Sequence, residues 1–256
     1  MAWVLDLDGV VWLDDQPLPG AADAVARLRS AGERVVFVTN NSSVRVGDQE
    51  AKLAGQGIAA QGDVVTSAMV AVGQVEAGER VFLCAGPGVE EAVLARGAVP
   101  VRDGDADAVI VGFHRDFDYD EMDRASRAVR RGARLIGTND DATYPTPEGL
   151  VPGNGSILAA VATASGVVPT VTGKPYPPMA EYVRALVGPV GVAVGDRPDT
   201  DGRFARALGF EWVLVLSGVT RGVDLPVDPV PDLVFADLAA AVDATLAAEP
   251  SAPAGR

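Results

Sequence analysis

The sequence predicts an α/β fold built on a doubly wound, parallel sheet. Short apolar runs that end in polar residues recur along the chain, as at Ala2–Leu5, Arg34–Val38 and residues 191–195. Runs of this length are typical of buried parallel strands. Segments with helical periodicity lie between them, and this alternation predicts right-handed crossovers and a parallel sheet.

The first third of the chain gives the clearest alternation. The opening strand is followed by a helix after Pro19, with Val25 and Leu28 facing inward and Gly32 ending it. The strand at residues 34–38 precedes a predicted helix over 45–57, for which we expect Ser43 to serve as the N-cap. A strand at 64–66 then leads into a helix that ends near residue 78, with these side chains expected to face inward: Met69, Val72 and Val75.

A second series of strands and helices follows. After it, apolar strands that end in polar residues, like those of the first third of the chain, resume. We predict these strands at residues 81–86, 107–113 and 133–139, with helices at 88–96, 119–131 and 155–165. Later strands are expected within 191–202, 211–219 and 231–238, before a terminal helix and a disordered tail over 250–256. The predicted domains are therefore a discontinuous core (1–78 and 170–256) and an inserted α/β domain (79–169).

Composition excludes several classes of function. The 256 residues carry a formal net charge of −14, so we expect no binding to nucleic acid or to anionic membranes. We find no secretory signal and no apolar stretch long enough to span a membrane. The single cysteine, Cys84, suits a reducing cytoplasm, and the single histidine, His114, excludes a site built on several histidines.

Polar residues cluster after four of the predicted strands. The clusters are Asp6 with Asp8, Thr39 with Asn40, Lys174, and the acids that follow residue 195: Asp196, Asp199 and Asp201. Strand ends of a parallel sheet lie at one edge, where such sheets bind ligands. Several carboxylates without histidine or paired cysteines favour Mg²⁺ over zinc or copper. A hydroxyl, backbone amides and an ammonium complement a phosphate group.

In this order, DLDGV, TNNS, GKP and GDRPDTD resemble the four motifs of the haloacid dehalogenase superfamily of phosphatases. The inserted domain, with its PTPEGLVPGNGSILAA stretch, is similar to the cap of the class IIA branch. That branch includes NagD-like nucleotide phosphatases and phosphatases of p-nitrophenyl phosphate, phosphoglycolate, glycerol phosphate and pyridoxal phosphate. The resemblance implies a cytoplasmic, Mg²⁺-dependent phosphatase of small phosphorylated metabolites, with a possible homodimer formed through the cap.

Two aspartates carry the chemistry that the resemblance implies. Asp6 resembles the nucleophile that becomes an aspartyl phosphate, which divides a difficult displacement into two easier steps. Asp8 resembles the general acid that protonates the leaving group and then, as a base, activates water. Lys174 resembles the cation that offsets the charge of the nucleophile and of the transferring phosphoryl group.

Metal and phosphate ligands are implied in the same way. Asp196 resembles a direct Mg²⁺ ligand, joined by the Asp6 side chain and the Asp8 backbone carbonyl. Asp201 resembles a residue that does not bind the metal directly but holds metal-bound water molecules or Lys174. The resemblance also implies a set of residues that contact the substrate phosphate: Thr39, Asn40 and Asn41.

The cap is expected to determine substrate specificity. The segment TNDDATYP (138–145) matches the loop that covers the leaving group in the family, so Asn139, Asp141 and Tyr144 are candidate substrate contacts. Simple packing within the cap is an equally good explanation for Tyr144. Asp140 and Asp141 would disfavour a leaving group with extra negative charge, such as that of phosphoglycolate.

Some other signals have ordinary explanations. GPG (86–88) and GNGS (153–156) resemble phosphate-binding loops, but neither matches the full P-loop or the full Rossmann fingerprint. We therefore interpret both as helix starts. Cys84 is expected to be a small core residue, and His114 with Arg115 a surface turn.

Two other functions share some of these features. A phosphosugar mutase of the same superfamily usually carries a helical cap after the first motif, where this chain has a single predicted helix. A non-enzymatic receiver domain is roughly half as long, and its phosphorylated aspartate follows a later strand.

Overall fold

The computed structural model describes residues 1–13, 16–146 and 149–248. The strands of these residues are β1 (Ala2–Leu5), β2 (Trp12–Leu13), β3 (Gln16–Pro17), β4 (Arg34–Thr39), β5 (Val64–Thr66), β6 (Arg80–Cys84), β7 (Val99–Val101), β8 (Ala108–Val111), β9 (Arg134–Gly137), β10 (Thr143–Thr146), β11 (Gly149–Pro152), β12 (Thr170–Val171), β13 (Gly191–Gly195), β14 (Glu211–Val215) and β15 (Leu233–Phe235). The α-helices are α1 (Ala21–Ser30), α2 (Val46–Gly55), α3 (Ser67–Ala71), α4 (Pro87–Ala95), α5 (Tyr119–Arg130), α6 (Asn154–Ser165), α7 (Pro177–Val187), α8 (Arg203–Leu208) and α9 (Leu238–Ala248). The predicted tail over 250–256 lies outside the described residues.

The larger sheet has six parallel strands in the order β15-β14-β13-β1-β4-β5. From β1 the chain first adds β4 and β5 on one side and later adds β13 on the other. The strand order therefore reverses beside β1, which opens a crevice at the carboxyl ends of β1 and β13. This topology confirms the predicted α/β fold with a doubly wound parallel sheet.

Both faces of this sheet are covered by helices. Alternate residues of β1 point to opposite faces, so Trp3 packs in one apolar cluster and Val4 in the other. The first cluster includes Leu28 of α1, and the second includes Phe204 of α8. Each fully buried large side chain contributes about 1.5–3 kcal/mol through removal of apolar surface from water. The sheet is consequently a rigid support for the residues that follow its strands.

A second parallel sheet, in the order β12-β9-β8-β6-β7, is formed by the segment between β5 and β13. We refer to residues 79–171 as the insert. Helices α5 and α6 pack on one face of this sheet, whereas α4 packs on the other together with α3, which precedes the insert. Strand β12 pairs with β9 and therefore belongs to this second sheet.

Two local predictions for the first third of the chain are wrong. The helix expected to end near residue 78 stops at Ala71 and continues only as a 3₁₀ turn; Val72 and Val75 are buried, but Met69 is partly exposed. Helix α2 begins after Arg45, and Ser43 does not cap it. The hydroxyl and the amide of Ser43 instead donate to Asn41 Oδ1. Among the described residues, we find no helix with the length and apolarity that crossing a membrane requires.

Candidate active site

The predicted polar clusters converge on one cavity at the carboxyl edge of the six-stranded sheet. Asp6 follows β1, Thr39 ends β4, Asp196 follows β13, and Lys174 follows β12 of the insert. The cavity encloses about 80 Å³ and lies between the core and the insert. Its walls include the following predicted site residues: Asp6, Asp8, Thr39, Asn40, Asn41, Asn139, Asp141, Tyr144, Lys174, Asp196 and Asp201.

Three carboxylates form the floor of the cavity. Side-chain oxygens of Asp6, Asp196 and Asp201 lie within 4.8 Å of one another. Oδ2 of Asp196 accepts a hydrogen bond from the Val219 amide at 2.5 Å, whereas its buried Oδ1 has no hydrogen-bond partner among the described residues. A buried carboxylate oxygen without a partner is costly, so this atom requires a cation.

Two glycines make room for the Asp196 carboxylate. A Cβ atom at Gly218 would lie 2.0 Å from Asp196 Oδ2, and one at Gly9 would lie 2.5 Å from the same atom. Gly9 also has a φ of +79°, which disfavours any other residue there. The space that the Asp196 carboxylate occupies therefore explains the glycine of DLDGV. Gly218 allows the segment after β14 to lie close to the same carboxylate.

The pKa shifts show that the site is short of positive charge. Burial raises the pKa of Asp6 well above its ordinary value, and the charges of neighbouring carboxylates raise it further against the opposing effect of Lys174. Burial and the charge of Asp201 raise the pKa of Asp196 to about 7. A divalent cation among these oxygens would reverse both effects. The oxygen donor set fits Mg²⁺, which prefers carboxylates and water.

Lys174 supplies the positive charge that the protein itself contributes. Its Nζ lies 2.8 Å from Asp6 Oδ1 and 2.7 Å from Asp201 Oδ1. Burial lowers the pKa of Lys174, but the two carboxylates outweigh burial and raise it, so the side chain is an ammonium ion. Asn40 holds the backbone of Lys174 through both ends of its amide, at 2.8 Å and 3.0 Å.

Asp8 and Thr39 lie on the walls next to Asp6. Oδ1 of Asp8 accepts a hydrogen bond from the indole N–H of Trp12 at 3.0 Å, which orients the carboxylate. The Thr39 hydroxyl accepts from the Asn41 amide at 3.0 Å and so fixes the turn after β4. Asp6 and Asp8 therefore both line the cavity, as expected for two carboxylates that follow the first strand.

The insert contributes three predicted residues to the opposite wall. Asn139 donates to the Asn40 carbonyl at 2.7 Å, and its own oxygen accepts from the Asp141 amide at 3.1 Å. Asp141 Oδ2 accepts from Asn40 Nδ2 at 3.0 Å, and burial raises the pKa of Asp141. Tyr144 stacks on Phe113 with ring centroids 5.3 Å apart. Asn139 and Asp141 therefore also join the insert to the core.

Two predictions about nearby residues need correction. Asp140 does not share the cavity with Asp141; it accepts a hydrogen bond from the Tyr176 hydroxyl at an exposed position. His114 was expected in a surface turn, but it is buried and contacts the Gly112 carbonyl and Glu121. Cys84 is a core residue, and the glycine motifs at 86–88 and 153–156 begin α4 and α6, as predicted.

Arg197 lines the cavity but was not among the predicted site residues. Its Nε lies 3.8 Å from Asp199 Oδ1, and the charge of Asp141 helps to raise its pKa despite burial. Its position directly after Asp196 is a signal that sequence reasoning passed over. Phe113 and Thr200 were also missed, because neither belongs to a pattern of charged residues at a strand end.

Comparison with known proteins agrees with this geometry. A family model described as haloacid dehalogenase-like hydrolase matches residues 3–98, and a second, HAD-hydrolase-like, matches residues 171–241. An acid sugar phosphatase of Staphylococcus saprophyticus is 33% identical over 93% of this chain and 95% of its own length. The chain belongs to the haloacid dehalogenase-like hydrolases.

Two further relatives in this family bear on the enzyme class. A D-glycerol 3-phosphate phosphatase of Mycobacterium tuberculosis is 40% identical over 86% of this chain, which spans 64% of that protein. A crystal structure of the M. tuberculosis glycerol phosphate phosphatase in complex with magnesium superimposes with a TM-score of 0.85 and 37% identity, covering 93% of this chain and 74% of that one.

A 4-nitrophenylphosphatase of Thermotoga maritima gives a TM-score of 0.87 at 33% identity, covering 94% of this chain and 96% of its own. These relatives confirm the predicted family, the phosphoric monoester hydrolase class and the magnesium cofactor.

Proposed function

We propose that this chain hydrolyses small phosphomonoesters with Mg²⁺ through an aspartyl phosphate formed on Asp6. The observation that carries the proposal is the pairing of Asp6 with the Lys174 ammonium, beside an Asp196 Oδ1 that has no hydrogen-bond partner in the described part of the chain. A phosphate dianion would be repelled by this set of carboxylates alone. Lys174 and one divalent cation together convert the repulsion into stabilisation of the transferring group.

Asp6 acts as the nucleophile. Its carboxylate oxygen forms a bond to phosphorus while the bond from phosphorus to the substrate oxygen breaks, and Asp8 gives its proton to that oxygen. Asp8 then removes a proton from water, whose oxygen attacks phosphorus, releases inorganic phosphate and restores the Asp6 carboxylate. One carboxyl group can serve both half-reactions because the second reverses the proton transfer of the first.

The remaining residues bind and orient. Lys174 offsets the charge of Asp6 and of the phosphoryl oxygens, and the turn from Thr39 to Asn41 offers donors to those oxygens. Mg²⁺, held by Asp6, Asp196 and the Asp8 carbonyl, would neutralise charge that develops on the phosphoryl group. Asp201 holds Lys174 in place at 2.7 Å.

The leaving group that suits the cavity is a neutral polyol. Asp141 is a hydrogen-bond acceptor for hydroxyl groups, and Phe113 and Tyr144 offer an apolar surface for carbon atoms. A carboxylate on the substrate would meet the like charge of Asp141. Glycerol phosphate and small sugar phosphates are therefore the proposed substrates, in line with the names of the relatives. We further propose that the enzyme acts in the cytoplasm and forms homodimers through the insert.

Phosphate release from glycerol 3-phosphate and p-nitrophenyl phosphate, with Mg²⁺ or with EDTA, tests the proposal. We expect release to require Mg²⁺ and to be lost in Asp6→Asn. With p-nitrophenyl phosphate, whose leaving group departs without a proton, we expect Asp8→Asn to accumulate an acid-stable phosphoprotein. Activity that survives in Asp6→Asn or in EDTA would refute the mechanism. A mutase would instead give an isomeric sugar phosphate without free phosphate, and a receiver domain would become phosphorylated without turnover.

A further inference from the structure

A second group of metal-type ligands lies inside the insert, outside the catalytic cavity. Cys84 ends β6, His114 follows β8, and Glu121 lies in the first turn of α5. One ligand atom from each of the three side chains lies within 4.8 Å of the other two. None of these residues has a role in the proposed phosphatase reaction, so their convergence needs a separate explanation.

The fold brings them together for identifiable reasons. Strands β6 and β8 are neighbours, with Cys84 aligned with Val111. The Cys84 side chain faces α5 and is fully buried in the apolar cluster between this helix and the sheet. Asp118 caps α5 by accepting a hydrogen bond from the Glu121 amide at 2.7 Å, which fixes the first turn of the helix above the same face.

The hydrogen bonds of His114 require a cation beside Glu121. Nδ1 of His114 lies 2.8 Å from the Gly112 carbonyl, which can only accept, so Nδ1 carries a proton. Nε2 lies 2.8 Å from Glu121 Oε2, and a bare ring nitrogen facing a carboxylate would be repulsive. Either a second proton or a metal ion must lie between them.

Without metal, the proton fills this role. Burial alone would lower the pKa of His114, but its hydrogen bonds to Glu121 and Gly112 outweigh burial and raise it. Burial also raises the pKa of the Cys84 thiol. An imidazolium paired with a carboxylate, with a thiol close to both, is the protonated form of a site with one sulfur, one nitrogen and one oxygen donor.

We propose that Cys84, His114 and Glu121 form a site for a zinc-like divalent ion, with water as the fourth ligand. Thiolate and imidazole donors favour zinc or cobalt over magnesium, and three protein ligands with one water are a known zinc arrangement. The Gly112 carbonyl supplies the hydrogen bond that normally orients a ligating histidine. Binding releases the Cys84 thiol proton and the imidazolium proton to solvent.

The distances are compatible with this step. Ligand atoms around a tetrahedral zinc lie roughly 3.3–3.8 Å apart, as bond lengths of about 2.0–2.3 Å require. The His114–Glu121 contact would therefore lengthen from 2.8 Å, and the other separations, which do not exceed 4.8 Å, are within about 1 Å of this range or inside it. Rotation of the Glu121 side chain on α5 can lengthen its contact with His114.

An open cleft gives the ion access to this group. The cleft encloses about 700 Å³, and His114 and Glu121 form part of its wall. Both positive and negative side chains line the cleft, so neither sign of charge dominates its entrance. The arginines are Arg45, Arg102, Arg115 and Arg124, and the aspartates are Asp48, Asp116 and Asp118.

Occupancy would also affect the catalytic cavity. Phe113 lies between Gly112 and His114 in the chain, and it lines both the cleft and the catalytic cavity. An ion that holds His114 would therefore restrain Phe113 and its stacking on Tyr144. The proposed site joins β6, β8 and α5, and we expect its main effect to be stabilisation of the insert.

Titration of the EDTA-treated full chain with Co²⁺ tests the proposal. Bonding of cobalt to a thiolate gives a charge-transfer absorption in the near ultraviolet that carboxylate ligands do not give, so the band reports on Cys84. We expect the band at one cobalt per chain, retained in Asp196→Asn, lost in Cys84→Ser and shifted to at least about tenfold higher cobalt in Glu121→Gln. Its absence from the wild-type chain would overturn the proposal.

A second measurement separates this site from the catalytic carboxylates. Zn²⁺ should raise the melting temperature of Asp196→Asn but not that of the double variant Asp196→Asn with Cys84→Ser. An equal rise in both would place the zinc elsewhere and overturn the proposal. Glu121→Gln provides the same comparison if Cys84→Ser does not fold, because the partly exposed Glu121 side chain is not part of the apolar cluster.

Discussion

The ammonium of Lys174 lies 2.8 Å from Oδ1 of Asp6. This contact joins the insert to the first strand of the core, because Lys174 follows β12 and Asp6 follows β1. It also determines the charge balance of the site, since Lys174 is the buried cation among the carboxylates on the cavity floor. One ion pair therefore links the end of the insert to the proposed nucleophile.

Replacement of Lys174 by methionine removes this cation but keeps the length of the side chain. We expect the variant to lose about 3–5 kcal/mol of unfolding free energy, because the buried carboxylates of Asp6 and Asp201 lose the cation that pairs with both of them. Phosphatase activity should fall by about 10²–10³-fold in kcat, since Lys174 offsets charge in the transition state. Urea unfolding and steady-state kinetics measure both effects. A methionine variant with wild-type kcat would contradict the proposed role.

Asp6→Asn should separate stability from activity. The pKa of Asp6 is raised in the folded protein, so its ionised form destabilises the fold in the absence of metal. The folded state binds more protons than the unfolded state, and stability is lost as pH rises from the unfolded value of about 3.9 towards the raised folded value.

In EDTA at neutral pH, Asp6→Asn should therefore melt at a higher temperature than the wild type, although it is inactive. The difference should disappear below about pH 4, where the wild-type carboxyl is protonated in both states. Thermal melts across this range measure it. A lower melting temperature for Asp6→Asn at neutral pH would show that the Lys174 ion pair outweighs burial.

Gly218→Ala should weaken magnesium binding without removal of any ligand. The new Cβ would lie 2.0 Å from Asp196 Oδ2, so the carboxylate must move. We expect the Mg²⁺ concentration for half-maximal activity to rise by at least about tenfold, as displaced metal ligands generally cause. Gly222→Ala is the matched control, because a Cβ there meets nothing within 4 Å. Equal magnesium requirements in the two variants would mean that Asp196 is not a ligand.

The sequence predicted the architecture and the floor of the site because both follow from strand patterns. Apolar runs identify β1 and β13, and the parallel topology brings Asp6 and Asp196 to one edge. Lys174 was expected at a strand end of the same sheet, but its strand, β12, belongs to the second sheet. Its contact with Asp6 depends on how the insert packs on the core, which no local pattern specifies.

Other features depend on side-chain direction, which the sequence pattern does not encode. Asp140 and Asp141 are adjacent acids, yet the chain turns so that Asp141 alone of the two enters the cavity. Arg197 follows Asp196 directly and still could not be assigned to the cavity wall. His114 was expected at the surface because its partner, Glu121, lies on a helix whose packing the sequence did not reveal.

The contrast between these two aspartates gives a sharp test of substrate selection. Asp141 lies in the cavity, where its Oδ2 accepts a hydrogen bond from Asn40 at 3.0 Å. Asp141→Asn keeps the size of the side chain but removes its charge, so anionic leaving groups should be repelled less. We expect kcat/KM for phosphoglycolate, divided by kcat/KM for glycerol 3-phosphate, to rise about tenfold, equivalent to about 1.4 kcal/mol.

Asp140→Asn is the control, because Asp140 contacts Tyr176 outside the cavity and should leave the ratio unchanged. A wild-type enzyme that prefers phosphoglycolate, or equal ratios in the two variants, would show that Asp141 does not select the leaving group.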